Sequence, residues 1–202
     1  MNNKNSASIR FMSRLALLSA IILIMSFTPL GYLRTAGLEI TLLTIPVAVG
    51  AIVLGPSAGA FLGGLFGLTS FAQCFGMSAF GAALLAINPV FTFIVCFFPR
   101  LLMGWLTGVI FAFLKKTLSN LSLGCTIASL CAPLLNTIFF MSTLMLLFSR
   151  TEFIMSMRGD MPLLPFVIAF ISINGLVEIP VCCIFSAVIS RALLYFTEKR
   201  GV

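Results

Sequence analysis

Turn-forming and charged clusters divide this chain into apolar segments of membrane-spanning length, and that spacing limits what it can fold into. The first segment runs from about Ser13 to Thr28 and stops at Thr28-Pro29-Leu30-Gly31. A polar connection, Gly31–Glu39, precedes a second segment over about Ile40–Leu54, which ends at Gly55-Pro56-Ser57. Glycine followed by proline is turn chemistry, so a third segment, about Ala58–Phe71, is expected to return antiparallel through a very tight turn. A fourth begins at Asn88-Pro89, a helix cap with proline in the first turn, and ends near Leu114 before Lys115-Lys116. The fifth covers about Ser122–Phe148. A charged loop with Arg150, Glu152, Arg158 and Asp160 leads to the sixth, about Leu163–Phe196, which is longer than one span. Between the third and fourth, Ala72–Asn88 holds Gln73, Gly76, Ser78 and Gly81 and no charge. A loop dipping into the membrane is expected there, covered by protein or a polar cavity.

Composition supports the membrane reading. Sixty per cent of the 202 residues are apolar and 8 % are charged, against about 25 % charged in a soluble domain. That is too little charge to clothe a water-facing surface, so lipid must cover much of it. At ~20 residues per spanning helix, the length suits an all-α, compact bundle of six transmembrane helices in one domain, 1–202, with 1–12 as a polar cytoplasmic tail. The tail carries no small-residue cleavage site after the first apolar run, so that run reads as a retained helix.

The net charge of +7 reflects topology rather than nucleic-acid binding, since no basic run is interleaved with exposed aromatics. Six spans put both termini on one side, with Lys4, Arg10, Arg14, Lys115, Lys116, Arg191, Lys199 and Arg200 against the single acid Glu198. The other side holds Arg34, Arg150 and Arg158 against Glu39, Glu152 and Asp160. Eight basic residues against three place both termini in the cytoplasm. No histidine occurs, which removes Ser-His-Asp, Cys-His and H-E-x-x-H chemistry. The six cysteines form no C-x-x-C pair and lie mostly in apolar runs, where cysteine behaves as a small apolar residue. Neither a metal nor another cofactor is expected, and with no G-x-x-x-x-G-K-[ST] any ATP-driven motor belongs to another subunit.

Small residues recur at four-residue spacing, at Ala16/Ala20, Gly59/Gly63/Gly67, Gly104/Gly108 and Ala128/Ala132. Such faces let helices approach closely in lipid. The glycine faces are expected to pack within the protein, whereas Ala16/Ala20 also suits a partner subunit. Pro99, Pro133 and Pro180 release the carbonyls of Val95, Ser129 and Leu176, which then need other donors. Arg100 and Glu178 lie at membrane depth, and each costs ~2.5–3.5 kcal/mol to insert, so each needs a partner or a wet cavity. Asn174 and Glu178, four apart, share a helix face. Two readings stand side by side: an Arg100–Glu178 ion pair that locks two helices, or a pocket for a polar solute lined by these groups and Asn136.

Thr41–Phe71, TLLTIPVAVGAIVLGPSAGAFLGGLFGLTSF, is similar to the signature of substrate-binding S components of energy-coupling-factor vitamin transporters. Ala16-x-x-x-Ala20, INPVFTFIVCFFPRLLMG (Ile87–Gly104) and Asn136-Thr137 fit the same family. The resemblance implies a six-helix subunit of the cell membrane that captures a vitamin outside, docks on a transmembrane coupling protein driven by two cytoplasmic ATPases, and topples to release it. FTPLGYL (Phe27–Leu33) followed by TIPVAVGAIVLGP most resembles the pantothenate-type members, while the segment from Gln73 to Asn88 departs from their loop. Riboflavin, folate or another vitamin stand behind pantothenate. The candidate substrate-binding residues are Gln73, Asn88, Arg100, Asn136, Asn174 and Glu178, and the candidate docking residues are Ala16 and Ala20. A stand-alone proton-coupled carrier using Glu178 is the rival reading, and a membrane enzyme is disfavoured by the missing histidine.

Overall fold

A computed structural model describes residues 3–29, 31–35 and 38–199, with side chains described except at 3–7, 32–35, 38–40, 163–164, 170–177 and 197–199. The elements in order are α1 (Asn3–Ser26), β1 (Tyr32–Thr35), β2 (Leu38–Thr41), α2 (Thr44–Leu54), α3 (Pro56–Gln73), α4 (Ala79–Ile87), α5 (Pro89–Thr117), α6 (Leu121–Phe148), α7 (Glu152–Arg158) and α8 (Leu163–Lys199). Among the described residues the fold is all-helical apart from one short hairpin. Among the described residues, Ser8–Ser26, Pro89–Thr117, Leu121–Phe148 and Glu178–Phe196 are long and apolar enough to cross a membrane.

The second segment behaves differently from a full span, for reasons visible in its residues. α2 has 11 residues, about 16 Å at 1.5 Å per residue, roughly half a ~30 Å hydrocarbon core. It is apolar all round and accordingly buried all round: Val47, Ala48, Val49 and Ala51 are at most 1 % exposed. It starts at Thr44 rather than Ile40, because Ile40 and Thr41 belong to β2. β2 pairs antiparallel with β1, with Arg34 opposite Glu39, so the connection's backbone groups find partners within a hairpin instead of remaining open. Leu42 N then donates to Gly31 O at 2.9 Å, anchoring the hairpin to the start of α2. The turn after α2 is a single residue. Gly55 has φ 98°, a conformation that glycine adopts without Cβ strain, and Pro56 opens α3.

Three further expectations are corrected. Ala72–Asn88 is not a dipping loop: Ser78 Oγ accepts from Gly81 N at 3.0 Å and caps the nine-residue helix α4. The first helix begins at Asn3, so most of the expected polar tail is helical. The charged loop after α6 contains α7, capped by Thr151 and carrying Glu152 in its first turn and Arg158 in its last. α2 sits at the centre of the assembly, in contact with α1, α3, α5, α6 and α8. Its core joins Leu43, Val47 and Ala48 to Ile22, Leu62, Phe66, Met103 and Ala132. A second core, around Leu84, Met141, Phe148 and Ile154, closes the end where α4 and α7 lie.

Candidate functional site

Glycines on α3 set the position of the most unusual residue, Arg100. A Cβ added at Gly63 would collide with the Arg100 carbonyl oxygen, and one at Gly67 would come within 2.8 Å of Phe97 Cα. Gly59 and Gly104 abut each other in the same way. The four-residue glycine spacing therefore brings two backbones into direct contact, as close packing in lipid requires, and holds α5 at a fixed depth along α3. Pro99 leaves Val95 O without its helical donor, and Arg100 Nη1 supplies one at 2.6 Å. The guanidinium is also flanked by Phe140 at 4.7 Å and Phe66 at 5.5 Å from its Cζ, a cation–π setting on two sides.

Glu178 arrives from α8. One turn later, Cys182 receives a hydrogen bond from Thr44 Oγ1 at 3.0 Å and donates to Thr41 O at 3.7 Å. These contacts pin α8 to α2 and to the end of β2. Arg100 and Glu178 are 8 % and 4 % exposed, yet no ion pair joins them. Glu178 Oε1 and Arg100 Nε have no hydrogen-bond partner among the described residues, and neither has Asn136 Oδ1. Asn136 is the polar side chain that faces the Glu178 carboxyl. The reading in which the two charges simply neutralise each other by contact is therefore not what the fold builds.

All three residues line one cavity of about 120 Å³, together with Gln73, Thr137 and a largely apolar wall. The wall includes Phe80, Gly81 and Leu84 of α4. A donor with a full charge, a carboxyl and two amides thus converge where little water competes, the arrangement that orients a polar solute in a mostly apolar pocket. Of the sequence-predicted binding residues, Gln73, Arg100, Asn136 and Glu178 are brought together. Gln73 Nε2 also donates to Ser26 O, tying the cavity to the end of α1.

Asn88 is not brought to the cavity. Its Oδ1 accepts from Val90 N at 3.0 Å and Phe91 N at 3.1 Å, which makes it the cap of α5. The Asn174 side chain lies outside the described residues. Sequence reasoning missed the cavity's Phe66, Ser70 and Phe140. Phe66, Ser70 and Gln73 follow i, i+4, i+7 spacing on α3, a helical face that could have been followed upward from Gln73. Ala16 and Ala20 are exposed on α1, on the same side as Met12 and Leu17, both 63 % exposed.

A multi-pass membrane protein whose helices enclose a mostly apolar cavity with a few convergent polar side chains has the layout of a protein that binds or moves a polar solute in the cell membrane. The family model for the substrate-specific component of ECF transporters matches residues 10–190. The chain belongs to that family. It is 30 % identical over 210 aligned residues, covering 100 % of this chain and 98 % of its relative, to the pantothenate transporter PanT of Leuconostoc mesenteroides subsp. mesenteroides. It is also 28 % identical to the pantothenic acid transporter PanT of Lactococcus lactis subsp. cremoris, over 76 % of each chain.

Proposed function

We propose that this chain captures pantothenate as the substrate-binding subunit of an ECF importer. The observation that carries the reading is the convergence of three unpartnered buried polar atoms, Arg100 Nε, Asn136 Oδ1 and Glu178 Oε1, in one cavity. Pantothenate offers what they lack: a carboxylate for the guanidinium, and an amide and hydroxyls for the acceptors. Arg100 Nη1 is occupied by Val95 O, which leaves the edge formed by Nε and Nη2 for a two-pronged contact with the carboxylate. Asn136 and Gln73 take the amide and hydroxyls, and Glu178 accepts from a hydroxyl. Asn174 remains a proposed contact from the same face as Glu178. The likeness to two proteins named as pantothenate transporters supports pantothenate over riboflavin or folate.

In this reading six helical segments form the membrane bundle, with the short α2 reaching only part of its depth, both termini are cytoplasmic, and the α4–α7 end of the bundle faces outward. The distribution of basic residues supports that orientation. The exposed Ala16/Ala20 face of α1 docks on the transmembrane coupling protein, which two cytoplasmic ATPases drive. The chain itself needs no catalytic group and no cofactor. The test has two arms. Purified subunit should be thermally stabilised by pantothenate and not by riboflavin or folate. Vesicles should accumulate pantothenate only when the coupling protein, ATPases and ATP are present. Accumulation driven by a proton gradient alone would replace this reading with the stand-alone carrier.

A further inference from the structure

We propose that Cys74 and Cys96 form an oxidisable thiol pair in the cavity wall, and that their disulfide locks the cavity against its substrate. Their Sγ atoms lie 3.8 Å apart. Both residues line the cavity and are 3 % and 5 % exposed. A disulfide has an S–S distance of about 2.05 Å, so the two sulfurs need to approach by roughly 1.7 Å.

The position of the pair gives the bond a consequence. Cys74 is the cap residue at the end of α3, and Cys96 lies in α5. The covalent loop they close contains the turn at Gly76 and the whole of α4. α4 rests on this cysteine: a Cβ added at Gly81 would lie 2.6 Å from Cys74 Sγ. The cavity of about 120 Å³ is well below the roughly 300–1,000 Å³ of pockets that enclose small organic ligands, so it must widen to admit one. α4 is a short wall that leans on α5, and the turn that Cys74 begins is what joins it to α3. Tying Cys74 to α5 fixes that turn and holds the cavity at its narrow size.

The oxidant is a hydroperoxide, small enough to enter the cavity. One thiolate attacks the peroxide, the O–O bond breaks, and a sulfenic acid forms with release of water or an alcohol. The second thiol attacks the sulfenic sulfur, the S–S bond forms, and water leaves. Two thiols are oxidised and one peroxide is reduced. The remaining cysteines, Cys125, Cys131, Cys182 and Cys183, lie on α6 and α8 and are not among the cavity's lining residues.

Formation of the bond is independent of the proposed substrate, and only its effect on pantothenate rests on that reading. Detergent-purified full-length protein is treated with hydrogen peroxide, alkylated and mapped by mass spectrometry without reduction. The expected product is a peptide pair linked through Cys74 and Cys96, lighter by two hydrogens and restored by a thiol reductant. Both cysteines recovered as alkylated thiols would overturn the pairing. Pantothenate binding should be lost on oxidation, regained on reduction, and insensitive to peroxide in Cys96→Ala. A linked protein that binds as well as the reduced one would leave the bond and remove its gating role. If reduced protein fails to bind pantothenate, the substrate assignment fails while the peptide map still decides the bond.

Discussion

Replacing Arg100 by glutamine separates the job that this residue performs in the structure from the one proposed for it. One job is structural: Nη1 donates to Val95 O at 2.6 Å, and the guanidinium lies between Phe66 and Phe140. A cation–π contact of this kind is worth ~0.5–2 kcal/mol, and a hydrogen bond from a charged group ~1.5–3 kcal/mol. The empty Arg100→Gln protein should therefore melt at a lower temperature whatever its ligand. The proposed job is recognition through the Nε edge, which has no partner among the described residues. Losing a charged hydrogen-bonded contact in a desolvated site costs ~2–5 kcal/mol. At 1.4 kcal/mol per tenfold, that is roughly 30-fold to several thousand-fold in affinity. Lowered stability alone does not discriminate, so the assay is the ratio of two affinities. Calorimetric titration with pantothenate and with its neutral amide should show the anionic ligand weakened far more than the amide. Equal weakening of both would assign Arg100 wholly to the helix scaffold and refute the carboxylate contact.

Three further outcomes are expected. Asn88→Ala removes the two cap contacts of α5 and should cost ~0.5–2 kcal/mol of stability in thermal unfolding, while the affinity of the folded fraction for pantothenate stays unchanged; a selective loss of affinity would return Asn88 to the binding site. Ala20→Trp enlarges an exposed position of α1 and should abolish ATP-driven uptake with vitamin binding intact, whereas parallel loss of binding would make this face part of the protein's own core. In a background without accessible native cysteines, a cysteine at Thr117 should resist an impermeant thiol reagent applied to intact cells and one at Thr151 should react; the opposite labelling would invert the topology.

The parts of the fold that were legible in the sequence are those governed by local chemistry. Gly55-Pro56 fixed the tight turn because positive φ and a proline at the first helical position are properties of the residues themselves. Asn88-Pro89 marked the start of α5 for the same reason, although the cap role that the motif announces also takes Asn88 away from the cavity. The glycine spacing on α3 correctly implied close helix packing, but not that its partner would be the Arg100 segment. α4 was hidden because its cap, Ser78, precedes an apolar run too short to separate helix from loop by periodicity. The hairpin was hidden because Arg34 and Glu39 read as a polar connection, while their register is a property of pairing rather than of sequence.

Arg100 and Glu178 show where sequence reasoning stops and why. An intramembrane cation and an intramembrane carboxylate each need compensation, and from sequence alone the simplest compensation is each other. The structure offers Arg100 a different partner, the Val95 carbonyl released by the neighbouring Pro99, and two aromatic faces. These contacts hold the guanidinium in place without an ion pair to the carboxyl. Glu178 is correspondingly left beside Asn136 with an oxygen unpartnered. A proline inside the helix, one residue before a buried arginine, thus leaves a carbonyl free to accept from that arginine's own guanidinium. The cavity thus keeps a guanidinium edge and a carboxyl oxygen without partners of their own among the described residues, the two groups that the proposed function assigns to the ligand.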